Sequence, residues 1–175
     1  MLTHGNIASN VMQAYSWIKP VIVESQEFVI TPLPLYHIFA LTVSLTFVMV
    51  GARNLLIANP RDIGGFVKEW AKYPVTVTTG VNTLFNGLLN HPDFAKLDFS
   101  TMKVSLGGGM AVQAPVAVRW QKVTGSPLLQ AYGLTENICV AFNTATEHKF
   151  GTVGKPMPMC EVRIAEDGEI LVKSE

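Results

Sequence analysis

The sequence predicts an α/β fold in which a mostly parallel sheet is flanked by helices and is followed by the start of a small antiparallel β element. Segments typical of strands and of helices alternate along residues 1–148, and this alternation is typical of a parallel sheet wrapped by helices. Two short strands around an Asp167-Gly168 pair favour a hairpin near the end of the chain. We therefore expect an α/β core over residues 1–148 and the start of a small β subdomain over residues 149–175.

The first two elements are a helix and a strand. Apolar residues recur at helical spacing over residues 6–18, and Thr3 or Asn6 can cap the helix that this spacing predicts. Residues 28–35 begin with β-branched and aromatic residues and continue with two prolines, which restrict the preceding backbone to extended conformations. We expect a strand that ends in a loop.

The next segment is apolar all round. Residues 38–50 contain no charged side chain, and periodicity alone does not separate a buried helix from a buried strand there. Both alternatives stay open. After Gly51, a short apolar run predicts a strand that Pro60 stops.

Strands and helices alternate regularly in the second half of the core. Asp62 is a suitable cap for the first of these helices, and Gly125 closes the last one. Helices are predicted over residues 62–73, 82–91 and 115–125, and strands over residues 75–80, 102–110 and 127–133.

Composition limits the classes of function. Thirteen basic residues balance thirteen acidic ones, and no basic face indicates a nucleic-acid partner. Cys139 and Cys160 do not form a metal-binding or disulfide pattern. The start of the chain lacks the pattern of a signal peptide, which favours a cytoplasmic protein. Charged residues make up 15% of the chain, against about 25% in an ordinary soluble protein, so we expect an interior piece of a larger protein.

Three unusual segments follow predicted strands. They are "PLYHIF" (34–39), "LGGGM" (106–110) and "YGLTE" (132–136). In open parallel sheets, ligands bind where the loops at the carboxyl ends of the strands converge. The order of the elements therefore predicts a binding site built from these three segments.

The glycine triplet has two interpretations. Gly107, Gly108 and Gly109 lack side chains, so a flat ligand can approach their backbone amides. A tight turn between strand and helix explains the same triplet without any ligand. The segment does not match a phosphate-binding loop, because it lacks the required spacing and the following Lys-Ser/Thr pair.

The third segment combines several chemical groups. Tyr132 offers an aromatic face for stacking, and Gly133 permits a sharp bend. The Thr135 hydroxyl suits a phosphate or carboxylate oxygen, and the Glu136 carboxylate suits Mg²⁺. A strand-end turn with a solvated Glu136 is the alternative. His37 in the first segment is either a catalytic base or a core histidine.

Taken in order, the segments resemble the adenylate-forming superfamily, and within it the bacterial long-chain fatty acyl-CoA synthetases that form AMP. The resemblance spans the whole chain. It is carried by "MLTHGNI", "PLPLYHIFAL", "NPRDI", "KYPVTVTTGVNTLFNGLLN", "LDFSTMKVSLGGGMAV", "YGLTE", "GTVGKPMP" and "DGEILVKS".

The resemblance implies a two-step reaction on a fatty acid, ATP and coenzyme A. Magnesium-bound ATP converts the carboxylate to acyl-AMP, and the CoA thiol then displaces AMP. The family's phosphate loop, its ribose-binding Asp, its hinge and its catalytic Lys would lie outside residues 1–175. Whether the complete protein contacts the inner membrane peripherally, and whether it forms oligomers, stays open.

The resemblance also implies roles for individual residues. Tyr132 would stack on adenine, Thr135 would bond the α-phosphate and Glu136 would bind Mg²⁺. Thr135, Glu136 and His37 are thus the candidate catalytic residues, and His37 would lie near the carboxylate end of the acyl pocket. The remaining candidates are Gly107, Gly108, Gly109, Met110 and Gly133 beside the nucleotide, and Thr83 and Phe85 along the acyl and pantetheine tunnels.

Two departures and three rival functions qualify the resemblance. Ala131 stands where the family often has Gly, and Leu41 stands where some relatives have a gating Trp. An amino-acid-activating domain would need a carboxylate for the substrate's ammonium, and residues 31–50 contain none. A fatty acyl-AMP ligase that serves a carrier protein stays open, as does an inactive truncated remnant.

Overall fold

A seven-stranded sheet with helices on both faces organises the computed structural model, which describes residues 1–174. The helices are α1 (His4–Ile18), α2 (Ile38–Met49), α3 (Ile63–Trp70), α4 (Asn82–Asn90) and α5 (Ala114–Thr124), with a short 3₁₀ turn at Phe94–Lys96. The strands are β1 (Phe28–Thr31), β2 (Arg53–Leu56), β3 (Val77–Gly80), β4 (Val104–Gly107), β5 (Leu128–Tyr132), β6 (Ala141–Phe142), β7 (Lys155–Pro156), β8 (Cys160–Ile164) and β9 (Ile170–Ser174).

The predicted α/β class is confirmed. The large sheet has the order β2-β1-β3-β4-β5-β6-β7, and its first five strands are parallel. Two short antiparallel strands, β6 and β7, extend it. The predicted hairpin is β8 and β9, which form a separate antiparallel sheet. Because β7 belongs to the large sheet, the separate sheet starts only at β8; the division at residue 148 stays a prediction.

The first helix begins slightly earlier than the sequence predicts. Thr3 is its N-cap, and the Asn6 amide donates to the Thr3 hydroxyl at 3.2 Å while the Thr3 amide donates to Asn6 Oδ1 at 2.8 Å. This reciprocal capping box satisfies two amides that would otherwise lack partners. Both residues that the sequence offered as caps therefore act together.

The apolar segment after β1 is a helix. His37 caps α2 through Nδ1, which accepts a hydrogen bond from the Phe39 amide at 3.3 Å. The parallel strands β1 and β2 are adjacent, and such strands need a crossover connection, which is usually helical. Topology therefore decides between the two alternatives that periodicity left open.

Two hydrophobic clusters hold the helices to the sheet. One lies under α3, α4 and α5 and is rich in aromatic rings, with Trp70, Phe85 and Trp120 almost fully buried. The other lies between the opposite face of the sheet and the helices α1 and α2, and it includes Ile18 and Phe47. The candidate site lies on the side of this second cluster.

A partly buried ion pair joins the amino ends of two strands. Lys103 Nζ lies 2.6 Å from Oε1 of Glu27, which is 1% exposed. The Val23 amide also donates to this oxygen at 2.6 Å. The pair therefore fixes the edge of the sheet opposite the candidate site.

Within residues 1–174, none of the helices is both long enough and apolar enough to cross a bilayer.

Candidate active site

A cavity of about 220 Å³ lies at the carboxyl edge of the sheet. Each of the three strand-end segments contributes to its wall, so the predicted convergence is confirmed. The lining residues that the sequence singled out are His37, Gly109, Tyr132, Gly133 and Thr135.

The wall of this cavity is mainly apolar. Helix α2 contributes Phe39, Val43 and Phe47, and helix α1 contributes Ala14 and Ile18. Of the described residues that line the cavity, none is Asp, Glu, Lys or Arg. The cavity therefore suits a ligand with an apolar body and offers no carboxylate to an ammonium group.

The loop of residues 133–138 begins at the end of β5 and is closed tightly on itself. The Val140 amide donates to the Tyr132 carbonyl at 2.8 Å. A Cβ added at Gly133 would lie 1.7 Å from the Ile138 carbonyl oxygen, so only glycine fits there. Ile138 has φ 54°, an unfavourable left-handed conformation for a β-branched residue. The loop is therefore a specific structure and not a generic turn.

Neighbouring residues of this loop contribute to different cavities. Thr135 lines the apolar cavity, whereas Glu136 is exposed and lines an adjacent polar cavity of about 130 Å³. Helix α1 forms the other wall of the polar cavity through Asn6, Asn10 and Gln13. The hydroxyl and the carboxylate thus lie on either side of one loop.

Only one member of the glycine triplet lines the apolar cavity. A Cβ at Gly107 would lie 2.4 Å from Val112, and one at Gly108 would lie 2.8 Å from the Phe39 ring. The side chains of Val112 and Phe39 therefore occupy the space beside these two glycines, where a flat ligand was the first interpretation. Gly109 lines the cavity, whereas Met110 is exposed and lies outside its lining.

His37 is an exposed residue, so it is not a core histidine. Because Nδ1 accepts the hydrogen bond of the cap, a neutral ring carries its proton on Nε2. The ring lies beside Gly109, where an added Cβ would be 3.8 Å from Cε1. The imidazole can therefore donate one hydrogen bond toward a ligand in the cavity.

The two candidates on α4 do not line the cavity. Thr83 is exposed, and Phe85 is fully buried in the aromatic cluster with its ring 4.7 Å from that of Trp120. Phe85 is therefore a core residue in this structure, and its position does not support the role in an acyl tunnel that the resemblance implies.

A thiol in the cavity wall is unsuited to nucleophilic catalysis. Burial raises the pKa of the Cys139 thiol to about 12, with a smaller contribution from nearby Cys160. The thiol therefore stays protonated at neutral pH, and the thiolate is the nucleophilic form of cysteine.

The whole chain matches one family of enzymes. Residues 1–175 match the AMP-binding enzyme family. The chain belongs to this family.

Curated relatives in the AMP-binding family are named long-chain-fatty-acid–CoA ligases. One from Yersinia pestis is 51% identical over 172 residues, which cover 95% of this chain and 30% of the relative. One from Haemophilus influenzae is 46% identical over 192 residues, which cover 100% of this chain and 34% of the relative. The chain thus spans about a third of the length of these relatives.

Solved structures of CoA ligases share the fold. A benzoate CoA ligase from Burkholderia xenovorans LB400 superposes with a TM-score of 0.86 and 23% identity, covering 99% of this chain and 37% of that one. At this identity the similarity concerns the fold alone. It agrees with the parallel sheet and flanking helices described above.

Glu136 is the one carboxylate among the described residues that line the polar cavity. Within residues 1–174, no cluster of three or more His, Cys, Asp or Glu side chains could hold a metal ion. Mg²⁺ usually takes only one or two carboxylates and keeps phosphate and water ligands besides. One exposed carboxylate at Glu136 is compatible with that coordination.

The sequence did not indicate that α1 contributes to both cavities. Ala14 and Ile18 line the apolar cavity, and Asn10 and Gln13 line the polar one. The apolar stripe of α1 showed which face is buried, but it did not show which element covers that face. Leu41 and Ala131 each depart from the family pattern, and Ala131 lines the cavity whereas Leu41 does not.

Proposed function

We propose that this chain is part of a long-chain fatty acid–CoA ligase that activates a fatty acid with ATP and transfers the acyl group to CoA. The observation that carries the proposal is the apolar cavity, which has no Asp, Glu, Lys or Arg among its described lining residues and is bordered by His37, Tyr132 and Thr135. An identity of about 50% to ligases of this name supports the same substrate class.

The proposed chemistry has two steps. A carboxylate oxygen of the fatty acid attacks the α-phosphorus of ATP, a new P–O bond forms, and the bond to the β-phosphate oxygen breaks, so that pyrophosphate leaves with the electron pair. The thiol sulfur of CoA then attacks the acyl carbon and loses its proton, while the acyl C–O bond breaks and AMP leaves. Each step needs precise positioning and neutralisation of developing charge.

The residues of the chain have distinct roles in this scheme. The Tyr132 ring stacks on adenine, and the Thr135 hydroxyl donates to an α-phosphate oxygen. His37 donates from Nε2 to the carboxylate of the acid and orients it. Glu136 would hold Mg²⁺, which when bound would neutralise phosphate charge.

The first test concerns Glu136. In the complete ligase that contains this chain, we expect Glu136→Ala to lower fatty-acid-dependent ATP–pyrophosphate exchange by roughly 10²-fold, as the loss of one preorganised charge-stabilising group often does. The matched control is Glu166→Ala, which removes another exposed carboxylate, close to the β8–β9 turn. Near-normal exchange by the Glu136 variant would remove this residue from the site.

A second test concerns the substrate class. Val43→Asp would introduce a charge into the apolar wall of the cavity, where a charge opposes the binding of an acyl chain. We expect the KM for the fatty acid to rise by roughly tenfold or more, as other losses of apolar pocket complementarity do, while the KM for ATP stays unchanged. Val118→Asp, on the exposed side of α5, is the control. Equal fatty-acid KM values for both variants would exclude the cavity as the acyl site.

The acceptor and the activity of the isolated chain require separate measurements. We propose CoA as the acceptor; release of acyl-AMP without thioester formation, or transfer to a carrier protein, would favour the fatty acyl-AMP ligase. We expect purified residues 1–175 to form no acyl-CoA, and ATP- and CoA-dependent turnover would contradict this expectation. A cytoplasmic location stays a prediction, and peripheral membrane contact and the oligomeric state stay open.

A further inference from the structure

We infer that Asn10 of α1 is a positioning residue for the loop of residues 133–138, which carries Thr135 and Glu136. This inference rests on the proposed function of those two residues. Asn10 does not line the apolar cavity but lines the polar one beside Glu136, and its hydrogen bonds connect α1 to the end of the loop.

The Asn10 side chain binds both backbone polar groups of one residue. Its Nδ2 donates to the Cys139 carbonyl at 2.9 Å, and its Oδ1 accepts from the Cys139 amide at 3.3 Å. Asn10 is only 5% exposed. Because an unpaired buried amide or carbonyl is costly, this pairing fixes the position of Cys139 relative to α1.

A second side chain extends the connection. Asn10 Nδ2 also donates to Gln13 Oε1 at 3.0 Å, and Gln13 Nε2 donates to the Pro158 carbonyl at 2.6 Å. The two side chains lie one helical turn apart on α1 and together bind the two backbone segments that flank the β6–β7 pair. Helix α1 is therefore bonded both to the residue that follows the loop and to the segment that follows β7.

The loop needs such an anchor because part of its backbone is strained. Ile138, directly before Cys139, has a positive φ of 54°, a conformation that persists in a β-branched residue only when its surroundings impose it. On the other side, the Val140 amide is bonded to the Tyr132 carbonyl. Asn10 binds the residue between these two features, so loss of its side chain would let the loop relax and would displace Thr135 and Glu136.

The side-chain chemistry also argues against a role in packing alone. A buried apolar residue at this position would suffice for packing alone, and neighbouring Val11, with 7% exposure, is such a residue. Asn10 instead requires several satisfied hydrogen bonds, and an Asn that is only partly satisfied is worse than an apolar residue. The hydrogen bonds of Asn10 therefore fix the position of the backbone at Cys139.

The experiment compares Asn10→Ala with Val11→Ala in the complete ligase. We expect Asn10→Ala to raise the KM for Mg·ATP and to lower kcat/KM in pyrophosphate exchange by roughly 10²-fold, since small displacements of positioning groups have effects of that size. The KM for the fatty acid should change less than the KM for Mg·ATP, because Phe39, Val43 and Phe47 of the apolar wall lie on α2, which Asn10 does not hold. Val11→Ala lowers the thermal midpoint and leaves both KM values unchanged.

A second, milder substitution keeps the test informative if Asn10→Ala does not fold. Gln13→Met keeps the length of the side chain but removes the bond to Pro158 and the acceptor for Asn10. We expect a smaller rise in the KM for Mg·ATP without loss of the folded state. If Asn10→Ala and Gln13→Met change only the thermal midpoint, as Val11→Ala does, the positioning role is wrong. Normal exchange by Glu136→Ala would instead contradict the proposed function, so the two failures are distinguishable.

Discussion

At the scale of single residues, glycine has two different uses in the site. Gly133 is required because a neighbouring carbonyl oxygen occupies the position of a Cβ, whereas Gly107 and Gly108 make room for Val112 and Phe39. The sequence could show that these positions lack side chains. It could not show what fills the space, because that depends on residues packed from other elements. This is why only Gly109, of the triplet, lines the cavity.

We predict that Gly133→Ala will disrupt the loop of residues 133–138. The new Cβ would lie 1.7 Å from the Ile138 carbonyl oxygen, so the loop must open. Pyrophosphate exchange by the complete ligase should fall by roughly 10²-fold or more, because the loop positions Thr135 and Glu136. Gly5→Ala in α1 is the control, since its Cβ would meet only Thr3 Oγ1 at 3.5 Å and alanine favours a helix. Unchanged exchange by the Gly133 variant would show that the loop tolerates opening.

At the scale of elements, the sequence predicted most helices and strands but left α2 undecided. The segment is apolar on all sides, and part of its surface is exposed through Leu45, Val48 and Met49. Its helical state follows from the crossover between β1 and β2. The short strands β6 and β7 were not predicted. Each has only two residues, which is too few to show the alternation by which a strand is identified.

We predict that His37 has two separable roles, as the cap of α2 and as a ligand of the substrate carboxylate. His37→Ala removes both, whereas His37→Asn restores a side chain that caps helices well. Thermal unfolding should show a loss of about 1 kcal/mol for the Ala variant and little loss for the Asn variant. Pyrophosphate exchange should stay low in both variants. Full recovery of exchange with Asn would mean that His37 acts only as a cap.

At the scale of the whole molecule, the site depends on residues that are far apart in the chain. The bond between Asn10 and Cys139 joins residues separated by 129 positions. Sequence patterns predicted that three strand ends converge, because the carboxyl ends of parallel strands share one edge. They did not predict the strand order or the position of α1, since both result from side-chain packing across the sheet.

The opposite edge of the sheet supplies a prediction about pH. Burial alone would raise the pKa of Glu27, but hydrogen bonds from Lys103, Thr76 and the Val23 amide, together with the charge of Lys103, hold it below its ordinary value. The ionised carboxylate therefore stabilises the fold above the unfolded pKa of roughly 4.3. That contribution is lost as the pH falls through the lower pKa of the folded state.

Replacement of this carboxylate should lower stability in a pH-dependent manner. In the complete protein we expect Glu27→Gln to reduce the free energy of unfolding by about 2 kcal/mol at pH 7, a size typical of lost hydrogen bonds to a charged group. The difference from the unsubstituted protein should shrink in urea unfolding as the pH falls below about 4. Glu69→Gln removes an exposed pair with Lys72 and should have little effect at any pH. If the Glu27 variant lost the same free energy at pH 3 as at pH 7, the stabilisation would come from packing of the side chain and not from its charge.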